Sequence, residues 1–278
     1  MRRILTGAVL AVLLAALCAG CGGRGAEEPL TATLLRVGRA DAIVLNTEGH
    51  TMVIDAGEEE DGAEVAAFLR DRGIRRVDVL VITHFDKDHV GGADTLVEEL
   101  TVERVLLPDY EGDSTEYLDF LDALAARDIV PERLARPTSF RLGKAEVLVE
   151  PPAAYDPGGG EVDNNFSLIT TVVHGENRLV FAGDAEKRRI RQWLADSDPA
   201  PCDFLKLPHH GVYNRGLEEL LDALSPRYAA ICSSEKNPAD SATLELLARQ
   251  GVAALETKDG DITVISDARR LEIRQRRR

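Results

Sequence analysis

Beyond residue 30 the chain alternates between short apolar runs of the kind that pack in sheets and stretches with helical spacing. Thr31 to Val37, Ala42 to Asn46 and Thr51 to Ile54 read as three successive strands, the last two joined by a hairpin at Thr47-Glu48-Gly49-His50 that leaves His50 exposed. Glu64 to Arg72 places Val65, Phe68 and Leu69 on one helical face, with Gly73 as its stop. Val77 to Ile82 is almost continuously apolar, which suits a strand covered on both faces. Leu96 to Leu100 is helical, Val102 to Leu107 another strand, and Glu116 to Arg127 a helix whose Tyr117, Phe120, Leu121 and Leu124 form a core stripe. Ala145 to Val149 alternates as a strand. The prolines and glycines of Pro151 to Glu161 then predict a surface loop, either a lid or substrate rim or an inert excursion.

The second half repeats this grammar. Ser167 to Val173 and Arg178 to Ala182 form a hairpin around His174-Gly175-Glu176-Asn177, which predicts an exposed, structural His174. Ala185 to Leu194 is a helix with Trp193 turned to the core. Strands Asp203 to Leu207, Tyr228 to Ile231 and Val252 to Leu255 alternate with helices Leu217 to Leu224 and Thr243 to Gln250, and the short strands Asp261 to Ile265 and Arg270 to Ile273 finish the chain. With no break in composition, this order predicts one α/β domain over 31–278, with mixed sheets inside and helices outside.

Composition sharpens the picture in two places. In 278 residues, 33 Lys and Arg stand against 48 Asp and Glu, a net charge of −15, and such a surface repels nucleic acid in general. Arg269-Arg270 and Arg276-Arg277-Arg278 are a local exception that reads as a solvated tail. At the other end, Met1-Arg2-Arg3 and the apolar Ile4 to Leu17 have the form of a signal peptide over 1–20. Cys18-Ala19-Gly20-Cys21 resembles a lipoprotein cleavage box ending in an acylated Cys21, although Cys18 stands where Leu is usual. The expectation is export and a lipid anchor, through a tether over 21–30, on the outer side of the cytoplasmic membrane or in the periplasm; simple secretion or an uncleaved anchor are the alternatives. Cys202 and Cys232 fall near opposite ends of neighbouring strands, roughly 15 Å apart at about 3.3 Å per residue, and are expected to be free thiols.

The chemistry concentrates in Thr83-His84-Phe85-Asp86-Lys87-Asp88-His89-Val90-Gly91-Gly92, which follows the apolar run ending at Ile82. Carboxylates and neutral imidazoles are the donors that hold a hydrolytic divalent ion, and four of them in six residues converge only if the backbone turns sharply. A loop is implied, and Gly91 and Gly92 are expected to permit the backbone excursion that follows it. Gly183-Asp184 alone is a helix cap, and His209-His210 alone a polar loop.

Together these segments resemble the metallo-β-lactamase superfamily in the HxDxDH form of ComEC-type competence proteins. Leu35-Arg36-Val37-Gly38-Arg39-Ala40-Asp41-Ala42-Ile43 is similar to that subgroup's VGQGDA opening, Val53-Ile54-Asp55-Ala56-Gly57 to its IDGG, Val162-Asp163-Asn164-Asn165-Phe166-Ser167-Leu168 to its DNxSL, Phe181-Ala182-Gly183-Asp184 to its TGD, and Lys206-Leu207-Pro208-His209-His210-Gly211 to its KxPHHG. The resemblance implies an αββα sandwich of two mixed β-sheets flanked by helices, and two divalent metal ions, zinc or manganese. His84 and Asp86 would hold one ion, Asp88 and His89 the other, and Asp184 would bridge them. His209 is expected to complete the second site, with His210 as a supporting or substrate contact; Asp55 would support the metal loop. Asn164 or Asn165 would orient a water or a substrate oxygen, and Lys206 and Asn214 are candidates for phosphate contact.

The chain lacks the histidine that the wider superfamily carries near Asp163-Asn164-Asn165, and Asp86 replaces the usual middle histidine. The first site is therefore oxygen-rich, which weakens zinc selectivity and admits manganese. Val212 replaces a serine, and Asn237-Pro238-Ala239-Asp240-Ser241 replaces a YGHP segment. The resulting expectation is a phosphodiesterase or nuclease-like phosphoesterase using a metal-bound hydroxide on a small phosphoester, a nucleotide or an envelope substrate. A non-catalytic envelope binding module, or an accessory to a separate DNA-uptake channel, are the other readings.

Overall fold

The computed structural model describes residues 28–154 and 163–276. The expected signal peptide, the tether as far as residue 27 and the glycine run of the 151–161 loop lie outside the described residues. Among the described residues no helix is long and apolar enough to cross a membrane.

In chain order the first part runs β1 (Leu30–Leu34), β2 (Ala42–Thr47), β3 (His50–Ala56), α1 (Gly62–Asp71), β4 (Arg76–Val77), β5 (Val79–Val81), α2 (Lys87–Val90), α3 (Ala93–Glu99), β6 (Thr101–Val102), β7 (Val105–Pro108), α4 (Thr115–Ala126) and β8 (Glu132–Leu134). The second runs β9 (Thr138–Leu142), β10 (Ala145–Glu150), β11 (Ile169–His174), β12 (Asn177–Phe181), α5 (Lys187–Ser197), β13 (Phe204–Lys206), α6 (Arg215–Leu224), β14 (Tyr228–Ile231), α7 (Ser241–Arg249) and β15 (Ala253–Glu256). The chain then returns to the first sheet through β16 (Asp261–Ser266) and β17 (Leu271–Arg276).

Two large mixed sheets result, in the orders β17-β16-β1-β2-β3-β5-β7-β8 and β15-β14-β13-β12-β11-β10-β9. Side-chain alternation sorts each strand between two cores. Met52, Ile54, Val79 and Val81 face the core between the sheets, where they join Val147, Leu179, Phe181 and Phe204 of the opposite sheet. Val53 and Leu80 face outward and pack with Leu69 of α1, Leu96 of α3 and Phe120 of α4. On the other flank Val180, Leu205 and Ala229 pack with Trp193, Leu221 and Leu247 of α5, α6 and α7. The αββα sandwich is thereby observed.

Some local expectations change. The run Val77 to Ile82 divides at Asp78, whose carboxylate accepts from Thr51 N at 2.7 Å, so β4 pairs with β6 while β5 enters the main sheet. His174 is buried, not exposed, with Nδ1 2.8 Å from Ser266 Oγ. Cys202 and Cys232 are free and buried. Gly91 and Gly92 have φ of −53° and −87°, so no unusual conformation is required of them. They are needed for close approach: a Cβ on Gly92 would lie 2.5 Å from the Ala56 carbonyl oxygen and 2.6 Å from Gly62 Cα, where the starts of α1 and α3 meet.

Strands β3, β5, β7 and β8 are parallel to one another, as are β12, β13, β14 and β15. The carboxyl ends of parallel strands are where loops carry chemistry. Here the ends of β3, β5, β12 and β13 meet.

Candidate metal centre

Asp55 leaves β3 in a left-handed conformation, φ 58°, and is fully buried. Its Oδ1 accepts from Thr83 N at 2.7 Å, and its Oδ2 accepts from Thr83 Oγ1 at 2.7 Å and from His89 Nδ1 at 2.8 Å. Two consequences follow for the loop after β5. The protonated Nδ1 of His89 faces Asp55, so Nε2 faces the opposite way as a lone-pair donor. Thr83 Oγ1 donates its hydrogen bond to Asp55 and is left to accept from His84 Nδ1 at 3.0 Å, so His84 Nε2 also faces away with its lone pair. His210 is oriented alike, its Nδ1 donating to the Cys232 carbonyl at 3.0 Å. Three imidazoles held by Nδ1 thus present Nε2.

These nitrogens meet carboxylates. His89 Nε2 lies 3.3 Å from Asp184 Oδ1, and His210 Nε2 lies 3.1 Å from Asp184 Oδ2 and 3.2 Å from Asp88 Oδ2. Asp88, His89, Asp184 and His210 each offer one ligand atom, all within 4.8 Å of one another. With neutral imidazoles these contacts would set lone pair against lone pair, and a proton or a metal ion between them turns each into an attraction. His84 Nε2, His89 Nε2, His210 Nε2 and Asp184 Oδ1 have no hydrogen-bond partner although they are buried. Orphaned buried polar atoms are rare, and imidazole nitrogens and carboxylate oxygens aimed together in this way call for positive charge between them, protons in the metal-free chain and a divalent ion when one binds. The mixed nitrogen and oxygen set fits zinc or manganese.

The field in the pocket agrees. Burial alone would lower the pKa of His89, but Asp184, Asp55 and Asp41 outweigh it and raise the imidazole well above its ordinary range. His210 is likewise pushed up to about 9, against burial, by Asp184, Asp88 and Asp41. Burial would raise Asp88 and Asp184, yet both are lowered, Asp88 by His210 and His89, and Asp184 by His210, His89 and Lys206. A pocket that gathers protons in this way also attracts divalent ions, which displace those protons on binding.

The residues expected from sequence divide as follows. His84, Asp88, His89 and Asp184 come together. His210, not His209, joins them. Two successive left-handed residues, φ 48° at His209 and 49° at His210, follow Pro208; the second imidazole becomes buried while His209 Nδ1 lies 3.4 Å from Glu186 Oε1 at the rim. His84 Nε2 lies 3.4 Å from Asp86 Oδ2, and Asp86 is the more open of the two. Among the described residues this pair belongs to no group of three such donors within 4.8 Å of one another. Asp163 lies within electrostatic reach of it: burial first, then repulsion from Asp86, raise its pKa, with His84 opposing. Asn165 Oδ1 accepts from Arg189 N at 3.2 Å, a contact that braces the start of α5. Asn214 caps α6 through Gly216 N, at 2.9 Å. Lys206 is no phosphate contact; it is fully buried, ion-paired with Asp41, and donates to the Gly183 carbonyl at 3.0 Å. Asp41 received no role from sequence, although it stands within the VGRADA segment.

The chain matches the profile of the metallo-beta-lactamase superfamily over residues 35–235, and it belongs to that superfamily. Its relatives include ComE operon protein 3 of Bacillus subtilis (strain 168), 30% identical over 195 residues that cover 68% of this chain and 24% of that protein. Recombination protein 2 of Haemophilus influenzae is 27% identical over 252 residues, covering 87% of this chain and 30% of that one. The chain thus spans less than a third of the length of these relatives, and the ComEC-like resemblance holds over that part. Among solved structures, the metallo-beta-lactamase fold protein YhfI from Bacillus subtilis matches with a TM-score of 0.54 at 8% identity, covering 82% of this chain and 95% of YhfI. A diphosphatase from the PhnP family matches with a TM-score of 0.51 at 13% identity, covering 86% and 99%. At such identities these two structures speak for the fold.

Proposed function

We propose that the chain is an exported, lipid-anchored metallohydrolase that cleaves a phosphoester, and specifically a phosphodiester, in a small nucleotide or cell-envelope substrate. One observation carries the metal-dependent part of this reading: four buried atoms from both sheets converge, His84 Nε2, His89 Nε2 and His210 Nε2 without a hydrogen-bond partner and Asp184 Oδ1 facing the Lys206 ammonium at 3.5 Å. Asp88, His89, Asp184 and His210 would hold one ion, and His84 and Asp86, sharing Asp184, a more weakly bound second. Bound divalent ions supply a Lewis acid and lower the pKa of water, which together suit in-line displacement at phosphorus.

The protein's own groups prepare this chemistry. Asp55 and the Cys232 carbonyl hold Nδ1–H of His89 and His210, and Thr83 holds that of His84, so each Nε2 already points at the site and only its proton, where present, has to leave when an ion binds. Asp86 and Asp88 lie on the open side, with side chains 43% and 25% exposed, where a substrate would enter. The overall charge of −15 opposes long duplex DNA and accords with a small substrate. The resemblance to ComEC-type competence proteins favours a second setting, in which the chain supplies hydrolysis beside a separate DNA-uptake channel. Metal analysis with turnover of bis-p-nitrophenyl phosphate tests the reading. A chain with neither bound metal nor turnover would instead be a binding module that has kept the fold.

A further inference from the structure

Beneath the donors lies a cation that the hydrolytic reading does not use. Lys206, at the end of β13, is fully buried, and its Nζ reaches three oxygens: Asp41 Oδ2 in an ion pair, the Gly183 carbonyl at 3.0 Å, and Asp184 Oδ1 at 3.5 Å. Asp41 belongs to the other sheet, in the loop between β1 and β2. Its backbone is fixed on both sides, since its N donates to the Asp88 carbonyl at 3.0 Å and its carbonyl accepts from Gly57 N at 2.8 Å. Its carboxylate lies 3.8 Å from His89 Nδ1 and 3.7 Å from His210 Nδ1. The Lys206–Asp41 pair therefore joins the sheet that carries Asp88 and His89 to the sheet that carries Asp184 and His210, and it contacts all four, Asp88 through its backbone. A buried ion pair is weak support for stability as such, because desolvation offsets much of the attraction. Its placement points to another use.

We infer that Lys206 is a positioning residue for the metal centre: held by Asp41 and Gly183, its ammonium fixes the Asp184 carboxylate between His89 and His210 and so sets the donor geometry across the two sheets before an ion arrives. This rests on the reading of the site as a metal centre. A simple staple between sheets would act on stability alone, whereas a positioning residue acts on how the ion is held.

The test compares the parent chain with Lys206→Met and with the double variant Asp41→Asn/Lys206→Met, which removes both charges and avoids leaving one buried alone. Zinc affinity is measured by chelator competition, and cobalt(II) absorption at saturation reports the coordination geometry. The expected result is a ten- to hundred-fold loss of zinc affinity in both variants, the range typical of groups that orient metal ligands, with an altered cobalt spectrum. A double variant with the parent's zinc affinity and cobalt spectrum overturns the inference, as does a chain that folds in neither variant, which assigns the pair to the fold. A parent that binds no metal overturns the underlying reading as well. A parent that binds metal, with variants that bind it equally, overturns only the role of Lys206.

Discussion

Replacing Asp55 by Asn changes one buried atom from acceptor to donor and leaves the shape intact, so its effects can be worked through bond by bond. The asparagine Oδ1 can still accept from Thr83 N, and Thr83 Oγ1 can turn to accept from the new amide. His89 has no such escape. Its Nδ1–H, now 2.8 Å from Asp55 Oδ2, would face an N–H, and the ring must move its proton to Nε2 to relieve the conflict. Loss of one charge-assisted hydrogen bond costs about 1.5–3 kcal/mol, and His89 loses part of the negative field that holds its proton. The metal-free variant should be less stable by about 2–4 kcal/mol, a fall in Tm of roughly 5–15 °C for a domain of this size. A proton on Nε2 occupies the lone pair an ion needs, so metal affinity should fall about ten- to hundred-fold. Thermal melts in EDTA and chelator competition measure the two effects separately. An Asp55→Asn chain that melts within about 2 °C of the parent and binds zinc equally well would refute the tautomer argument.

Further outcomes follow from the same geometry. His210→Ala should lose tight metal binding whereas His209→Ala should keep it, and the reverse pattern in elemental analysis would restore His209 as the ligand. In the metal-free chain the pKa of His210 is raised from 6.5 to about 9 on folding, so its contribution to stability is complete below about pH 6.5 and lost as pH rises through 9, on the order of 3 kcal/mol. Denaturant titrations in EDTA should show that decline, and a rise in stability over the same range would contradict it. Metal affinity should run the opposite way and strengthen with pH, because the ion displaces the imidazole protons. Gly92→Ala should destabilise the chain by about 1–3 kcal/mol in urea, since the new methyl meets backbone of Ala56 and Gly62 that cannot turn aside.

Much of this architecture was legible from spacing. Period-two and helical patterns gave the strands and helices in order, and the Thr83 to Gly92 segment announced the centre. What escaped depended on pairings far apart in sequence. His174 reads as a turn residue until Ser266, 92 residues on, buries it. Lys206 reads as a solvated or phosphate-binding lysine because its partner Asp41 lies on the other sheet. The choice between His209 and His210 turned on two left-handed residues in succession, a conformation that nothing in Pro208-His209-His210-Gly211 requires. The tautomers of His89 and His210 were equally hidden, since they depend on Asp55 and on a backbone carbonyl at Cys232.

The central claim is that the chain holds a divalent ion at Asp88, His89, Asp184 and His210 and uses it on a phosphodiester. Elemental analysis of the purified chain and of Asp184→Ala, followed by turnover of bis-p-nitrophenyl phosphate with manganese or zinc, tests it most directly. The account predicts one tightly held ion in the parent and a second under excess metal, with tight binding and turnover both lost in the variant. A parent without bound metal and without turnover under either ion would contradict it.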